Sequence, residues 1–186
     1  RTLPNMTVIH PCDDISAREL TLQLRGHDCP SYMRTARNKV PRAYTDESAG
    51  QLKIGHGVVH RDGSDVAILA CGVMLNEALI ACELLEKEGI HATVVDMHTI
   101  KPLDCNLIDE LSERCRAFVT AEDHSVIGGL GGAVSEYIVS KNPVPLEKVG
   151  VQDRFGESGD SDELMQLMGL KSTDIVTAAK RVIQRK

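Results

Sequence analysis

The most informative stretch of the sequence is Thr120-Ala-Glu-Asp-His-Ser-Val-Ile-Gly-Gly-Leu-Gly-Gly-Ala-Val134. An apolar run, Phe118-Val119, leads into this stretch, and a helical pattern begins at Ala133. The ionisable residues of the stretch are Glu122, Asp123 and His124, and its glycines are Gly128, Gly129, Gly131 and Gly132. We predict a strand, a loop and a helix, with the polar residues where an open α/β sheet usually places its ligand crevice.

Strand and helix patterns alternate on both sides of this stretch. Short apolar runs predict strands, and apolar residues at a 3.6-residue spacing predict helices. The predicted strands are 66–71, 92–96, 117–121 and 146–151, and the predicted helices are 75–88, 104–114, 133–140, 162–168 and 173–184. Such alternation indicates right-handed crossovers, and hence an α/β fold with an open, mostly parallel sheet and helices on both faces.

The chain divides into three sections. Residues 1–40 hold one strand–helix–strand unit, the tail of a first domain, which cannot bury both of its faces by itself. Residues 41–64 form a linker and a first strand, and Asp62-Gly63 is a tight-turn signal between that strand and the strand 66–71. Residues 65–186 are numerous enough to build an independent core.

Composition excludes several classes of protein. The 186 residues carry a net charge of −6, contain no Trp and show no apolar run long enough to span a bilayer, so we expect neither nucleic-acid nor membrane binding. The six cysteines form no C-x-x-C pair, which indicates free thiols in a reducing cytoplasm. The chain begins at Arg1, inside a recognisable motif, and we expect it to be a piece of a longer subunit.

A small basic cluster follows the second predicted strand. It consists of Arg34, Arg37, Lys39 and Arg42. The cluster is too small to bind a polyanion but suits one phosphate, which a guanidinium can hold through two parallel hydrogen bonds. The alternative is a set of solvated linker residues.

The glycine-rich loop allows two interpretations. A tight structural turn with close helix packing is favoured, and a small anion site at the helix N-terminus is the alternative. A dinucleotide site is disfavoured because six residues, 122–127, separate the strand from the glycines. His124 could act as a general base beside two carboxylates, but a role in pinning the loop or a subunit contact is favoured.

Two further patterns have simpler explanations. His56 and His60 have the spacing of zinc ligands on a helix, yet the residues between them look like a strand, so no metal site is predicted there. The acidic segment 156–163 reads as a surface loop before a helix, with an interface loop as the alternative.

Five blocks in one order resemble the C-terminal part of the thiamine-diphosphate-dependent transketolases. The resemblance runs from the first residue to the last. The blocks are Leu3-Pro-Asn-Met-Thr with Pro11-Cys-Asp, Arg34-Thr-Ala-Arg37, Gly72-Val-Met-Leu-Asn-Glu-Ala-Leu79, Thr99-Ile-Lys-Pro-Leu-Asp104 and Ala121-Glu-Asp-His124.

The resemblance implies an enzyme that moves a two-carbon ketol unit between sugar phosphates, as in the pentose phosphate pathway. Residues 1–40 then end a pyrimidine-binding domain, and 65–186 are the C-terminal domain. Arg37 falls on the arginine that contacts the sugar phosphate, and Arg34 matches an arginine in some members. Glu122, Asp123, His124 and the four glycines fall in a structural or interface loop.

The same resemblance places the catalytic groups and the metal ligands upstream of Arg1. It implies thiamine diphosphate and Mg²⁺ in the parent enzyme, a homodimer, and a diphosphate-binding domain or subunit as partner. This piece alone is expected to be inactive and to bind neither cofactor nor metal. The alternatives are the corresponding part of deoxyxylulose-phosphate synthase, that of the β-subunit of a 2-oxo acid dehydrogenase, or a non-catalytic dimerisation or anion-binding module.

Overall fold

Eight strands form two sheets in the computed structural model, which describes residues 1–186. The larger sheet has the order β3-β5-β4-β7-β8, and the smaller has the order β2-β1-β6. The strands are β1 (Thr7–Ile9), β2 (Ser31–Met33), β3 (Val58–Arg61), β4 (Val66–Ala70), β5 (Ala92–Asp96), β6 (Thr99–Lys101), β7 (Phe118–Ser125) and β8 (Leu146–Val151).

The larger sheet confirms the predicted architecture. Strands β5, β4, β7 and β8 are parallel, and only the edge strand β3 runs antiparallel to its neighbour. All five residues of β4 are buried, as expected for a central strand covered on both faces. The helices are α1 (Asp14–Leu24), α2 (Met74–Glu86), α3 (Cys105–Arg114), α4 (Leu130–Ser140), α5 (Ser161–Leu167) and α6 (Ser172–Ile183).

Alternate side chains of each strand enter two different cores. Ile68 packs with residues of α2 and α6 on one face of the sheet. Its neighbour Leu69 packs with residues of α3 and α4 on the opposite face. The helices therefore cover both faces, because the side chains of a strand alternate with a period of two. No helix is both long and apolar enough to cross a bilayer.

The predicted hairpin around Asp62-Gly63 is wrong. Strand β3 pairs with β5, not with β4, and Val58 lies opposite Asp96. Both edges of β4 are already paired, with β5 and β7. The turn packs on the start of β5 instead, where the Gly63 N–H donates to Thr93 Oγ1 at 3.0 Å. A Cβ on Gly63 would lie 2.5 Å from the carbonyl oxygen of His91, so this approach requires glycine.

The predicted loop after Ala121 is also wrong. Strand β7 continues to Ser125, which pairs with Val151 beyond an irregularity in the register. Helix α4 begins at Leu130, three residues before the predicted start. Four of the predicted loop residues are therefore strand residues (Glu122, Asp123, His124 and Ser125). Two of the loop's glycines, Gly131 and Gly132, are helical.

Residues 1–40 are connected to the rest of the chain through backbone pairing. Strand β1 is parallel to β2 and antiparallel to β6, a strand that the sequence analysis did not predict. Residues 41–64 include a 3₁₀ turn, Ser48–Gln51, and bury Tyr44 and Leu52 in the core that α2 also lines. The first segment thus lies on the carboxyl edge of the larger sheet, where the sequence predicts the ligand crevice.

Candidate functional site

The carboxyl ends of β4 and β5 are covered by the N-terminal segment. The Gly72 N–H donates to the His10 carbonyl at 3.1 Å, and the His10 N–H donates to the His98 carbonyl at 2.7 Å. Gly72 has φ +58, and a Cβ there would lie 2.2 Å from the His10 ring. Burial lowers the pKa of His10 to about 4. The ring is therefore a neutral packing group, and the chain's own residues fill this part of the edge.

Arg34 joins the same segment to the end of β7. Its Nη2 lies 3.0 Å from Asp123 Oδ2, and its Nη1 donates to the Asp123 backbone carbonyl. Each side chain is 37% exposed, so the pair is only partly solvated. Arg34 was expected from the resemblance to bind a substrate phosphate, whereas in the structure Asp123 accepts hydrogen bonds from its guanidinium.

Arg37 differs from the other arginines of the basic cluster. It is exposed and pairs with no carboxylate of the chain, while Arg42 forms an ion pair with Asp14 at 2.6 Å. Its neighbours Ala36 and Asn38 line a cavity of about 430 Å³ beside α1. Arg37 is therefore the arginine of the cluster that is free to bind an external anion.

The glycine-rich turn is built around Glu122. The carboxylate of Glu122 is 1% exposed and accepts hydrogen bonds from the N–H groups of Leu130 and Gly131, both at 2.8 Å. Burial raises the pKa of Glu122. A Cβ on Gly129 would lie 1.8 Å from its Oε2 atom. The N-terminus of α4, a common anion site, is thus occupied by the chain's own carboxylate, which supports the structural interpretation.

His124 and Gly128 lie at the outer side of this turn. The His124 side chain is 51% exposed and its Nδ1 is 3.7 Å from Glu122 Oε2. The same Nδ1 lies 2.7 Å from the carbonyl oxygen of Ser125. Gly128 has φ +82, which favours glycine at that position. The ring nitrogen therefore contacts groups of its own strand, the Glu122 carboxylate and the Ser125 carbonyl.

Two buried acids of the site were not predicted from the sequence. Asp13 caps α1 and also accepts hydrogen bonds from the N–H groups of Ala43 and Tyr44, at 2.9 and 3.0 Å. Asp96, at the end of β5, accepts a hydrogen bond from Tyr44 Oη at 2.8 Å. Burial raises the pKa of Asp96 to about 7. The partners of Asp13 lie about thirty residues away and had no sequence signal.

The side chains do not assemble a metal centre. No three His, Cys, Asp or Glu side chains are grouped so that they could hold a metal ion. His56 lies 3.8 Å from Asp104, and His60 packs edge-on against Tyr44 with ring centroids 4.9 Å apart. These two histidines have separate structural neighbours.

The fold and the site place this chain in a class of doubly wound α/β proteins whose N-terminal segment covers the carboxyl edge of the larger sheet. Residues 55–175 match the family described as "Transketolase, C-terminal domain". The chain therefore belongs to the transketolase family, of which it contains the C-terminal domain.

Several known proteins are similar over nearly the whole chain. The 6-deoxy-6-sulfo-D-fructose transketolase subunit SqwH of a Clostridium species (strain MSTE9) is 42% identical, over 100% of this chain and 57% of the relative. A putative transketolase C-terminal section of Methanocaldococcus jannaschii is 40% identical, over 99% of this chain and 57% of the relative. Deoxyxylulose-phosphate synthases are also among the relatives. The chain thus spans a little over half the length of the first two.

One solved structure is very close in shape. It is described as a split gene transketolase in an inactive beta4 tetramer, and it matches with a TM-score of 0.95 and 41% identity. The match covers 99% of this chain and 60% of that chain. At this identity the likeness extends beyond fold class to family membership.

Proposed function

We propose that the whole protein transfers a two-carbon ketol unit between sugar phosphates, with this chain as its C-terminal part. The observation that carries the proposal is Arg37, an exposed arginine without an internal partner. Upstream, Arg34 is held by the partly buried Asp123, and downstream Arg42 forms an exposed ion pair with Asp14. A free guanidinium so placed suits the terminal phosphate of a sugar.

Thiamine diphosphate and a divalent cation, Mg²⁺, are the cofactors of the proposed parent enzyme. Bound there, thiamine diphosphate would supply the carbanion chemistry that carries the ketol unit. The residues of this chain do not fit either group, because no cluster of potential metal ligands is present and the N-terminus of α4 is filled by Glu122. We assign both to the remainder of the protein and expect this chain alone to be inactive.

The partners follow from the incomplete first domain. Helix α1 and strand β2 expose large apolar side chains, Leu22 at 51% and Tyr32 at 56%. We infer that these are covered by the remaining part of a pyrimidine-binding domain, and that a diphosphate-binding domain or subunit and a second copy complete a homodimer. The relatives named as subunits and the inactive tetramer of a similar split transketolase support this arrangement.

The proposals for cellular location and pathway rest on fewer observations. All six cysteines are free and four of them are buried, which suits a reducing compartment, and we place the protein in the cytoplasm. The relative named for 6-deoxy-6-sulfo-D-fructose indicates that sugars outside the pentose phosphate pathway are also suitable candidates.

The runner-up is the corresponding part of a deoxyxylulose-phosphate synthase. In that family the arginine segment resembles Arg-Tyr-Pro-Arg-Gly, whereas this chain has Arg-Thr-Ala-Arg-Asn at 34–38, closer to transketolases. The β-subunit of a 2-oxo acid dehydrogenase needs no arginine for a sugar phosphate there. A non-catalytic anion-binding module would bind phosphate without ketol transfer.

The test compares Arg37→Ala with the unchanged whole enzyme on two donors, a pentose phosphate and hydroxypyruvate, with one unphosphorylated acceptor. A charge-assisted contact of roughly 1.5–3 kcal/mol corresponds to a loss of about 10- to 150-fold in kcat/KM for the phosphorylated donor. Hydroxypyruvate should be used nearly as well as before. Equal losses with both donors would show that Arg37 does not bind phosphate.

A further inference from the structure

Arg37 lies in a short exposed segment that follows a contact between Arg34 and the end of β7. Strand β2 ends at Met33, and the Arg34 N–H donates to the Ile9 carbonyl at 3.0 Å. Residues 35–38 are exposed. The nearest fixed point before Arg37 is therefore the Arg34 guanidinium on Asp123, three residues away.

Asp123 holds Arg34 with two acceptors rather than one. The carboxylate accepts from Nη2 at 3.0 Å, and the backbone carbonyl accepts from Nη1. A two-pronged contact of this kind fixes the plane of a guanidinium as well as its distance. Because both side chains are 37% exposed, solvent screens the pair less than it screens a fully exposed surface pair.

Asp123 lies in the irregular part of the β7–β8 register, between residues that are held on both sides. The preceding residue, Glu122, is buried and bound to the first N–H groups of α4. Two residues after Asp123, Ser125 pairs with Val151 of β8. The end of β7 is thus braced by a helix and by a neighbouring strand.

We propose that Asp123 is a positioning residue: through Arg34 it sets where Arg37 lies, so the C-terminal domain determines the affinity for the phosphate end of the sugar. The inference rests on the proposed function, since it concerns the same arginine. It gives the C-terminal domain a specific task, namely to orient the phosphate-binding segment of the preceding domain. Displacement of a binding group by about 1 Å is enough to cost a large factor in rate.

The experiment uses the whole enzyme and the two donors named above. Asp123→Ala should raise KM for the pentose phosphate about tenfold and leave kcat and KM for hydroxypyruvate within about twofold. Asp46→Ala is the matched control, because it removes the carboxylate of another arginine pair, Arg18–Asp46 at 2.6 Å, on an exposed surface. This control should change neither donor's parameters.

The double variant Arg37→Ala, Asp123→Ala shows whether one residue acts through the other. If it does, adding Asp123→Ala to Arg37→Ala costs nothing further for the phosphorylated donor. Independent, multiplying losses would overturn the inference, as would equal losses with both donors in Asp123→Ala. A selective Arg37→Ala with an unselective Asp123→Ala refutes only the positioning role, whereas an unselective Arg37→Ala refutes the phosphate assignment of the proposed function.

Discussion

Replacement of Asp96 by Asn tests the buried junction between the linker and the sheet. Asp96 is fully buried at the end of β5, Tyr44 Oη donates to its Oδ2, and its Oδ1 has no partner. Burial raises its pKa from 3.8 to about 7, and the nearby Asp13 carboxylate acts in the same direction. The hydrogen bond from Tyr44 opposes this rise but does not cancel it.

The magnitude follows from that rise. Each pKa unit corresponds to about 1.36 kcal/mol, so ionising Asp96 inside the fold costs about 4 kcal/mol. The folded protein keeps the proton while the unfolded chain has lost it, so this contribution to stability is fully present below the unfolded pKa near 4. This contribution to the unfolding free energy is lost as the pH rises towards about 7, and above that pH Asp96 causes no further change. About 2–3 kcal/mol of the loss falls between pH 5 and pH 8.

Urea unfolding of Asp96→Asn and of the unchanged protein, at intervals from pH 5 to pH 8, measures this difference. Asn cannot ionise and resembles the protonated acid. The unfolding free energy of Asp96→Asn, relative to that of the unchanged protein, should therefore increase with pH. Asp14→Asn is the control, since the Arg42 guanidinium lowers the pKa of that exposed carboxyl and its effect should be flat across this range. A constant difference for Asp96→Asn would show that the carboxyl is already ionised at pH 5 and refute the reasoning.

The remaining predictions concern the α4 cap, the buried histidines and the cofactor. Glu122→Gln should lower the unfolding free energy by about 1–3 kcal/mol, because it leaves N–H groups of the helix poorly paired. His124→Ala should change the unfolding free energy by less than about 0.5 kcal/mol. Chemical denaturation of both variants measures the two values. Burial lowers the pKa of His10 and of His98 to about 4, so melting temperatures should fall as the pH drops from 6.5 towards 4, and a flat profile would contradict their burial as neutral rings. Titration calorimetry of this chain with thiamine diphosphate and Mg²⁺ should show no saturable binding, and micromolar affinity would mean that the cofactor site is misplaced.

Local sequence patterns predicted most of the helices and strands but not which strands pair with one another. The helix predicted over 104–114 is observed as α3, where Asp104 caps the N-terminus by accepting a hydrogen bond from the Leu107 N–H at 3.1 Å. Strand β6 was missed because it has only three residues and pairs with β1, some ninety residues upstream. The hairpin at Asp62-Gly63 was wrong because turn chemistry says nothing of a third strand inserted between the two.

In the candidate site, too, the sequence indicated individual residues but not the contacts between them. The sequence pointed to Arg34, Asp123 and Glu122 as separate residues of two motifs. It could not show that Arg34 and Asp123 meet, because they are 89 residues apart. Nor could it show that Glu122 points inward: an ionisable cluster after a strand usually indicates a loop, and here a buried carboxylate extends the strand and caps a helix.

We propose that this chain is the C-terminal part of a ketol-transferring enzyme and acts only with the rest of that enzyme. The decisive measurement is ketol transfer from hydroxypyruvate to a phosphorylated aldose, with thiamine diphosphate and Mg²⁺ supplied. It should be measured on this chain alone and on the whole enzyme that includes the diphosphate-binding part. We expect no turnover by the chain alone and ready turnover by the whole enzyme. Turnover by the chain alone, or a folded whole enzyme that binds the cofactor yet transfers no ketol unit, would contradict it.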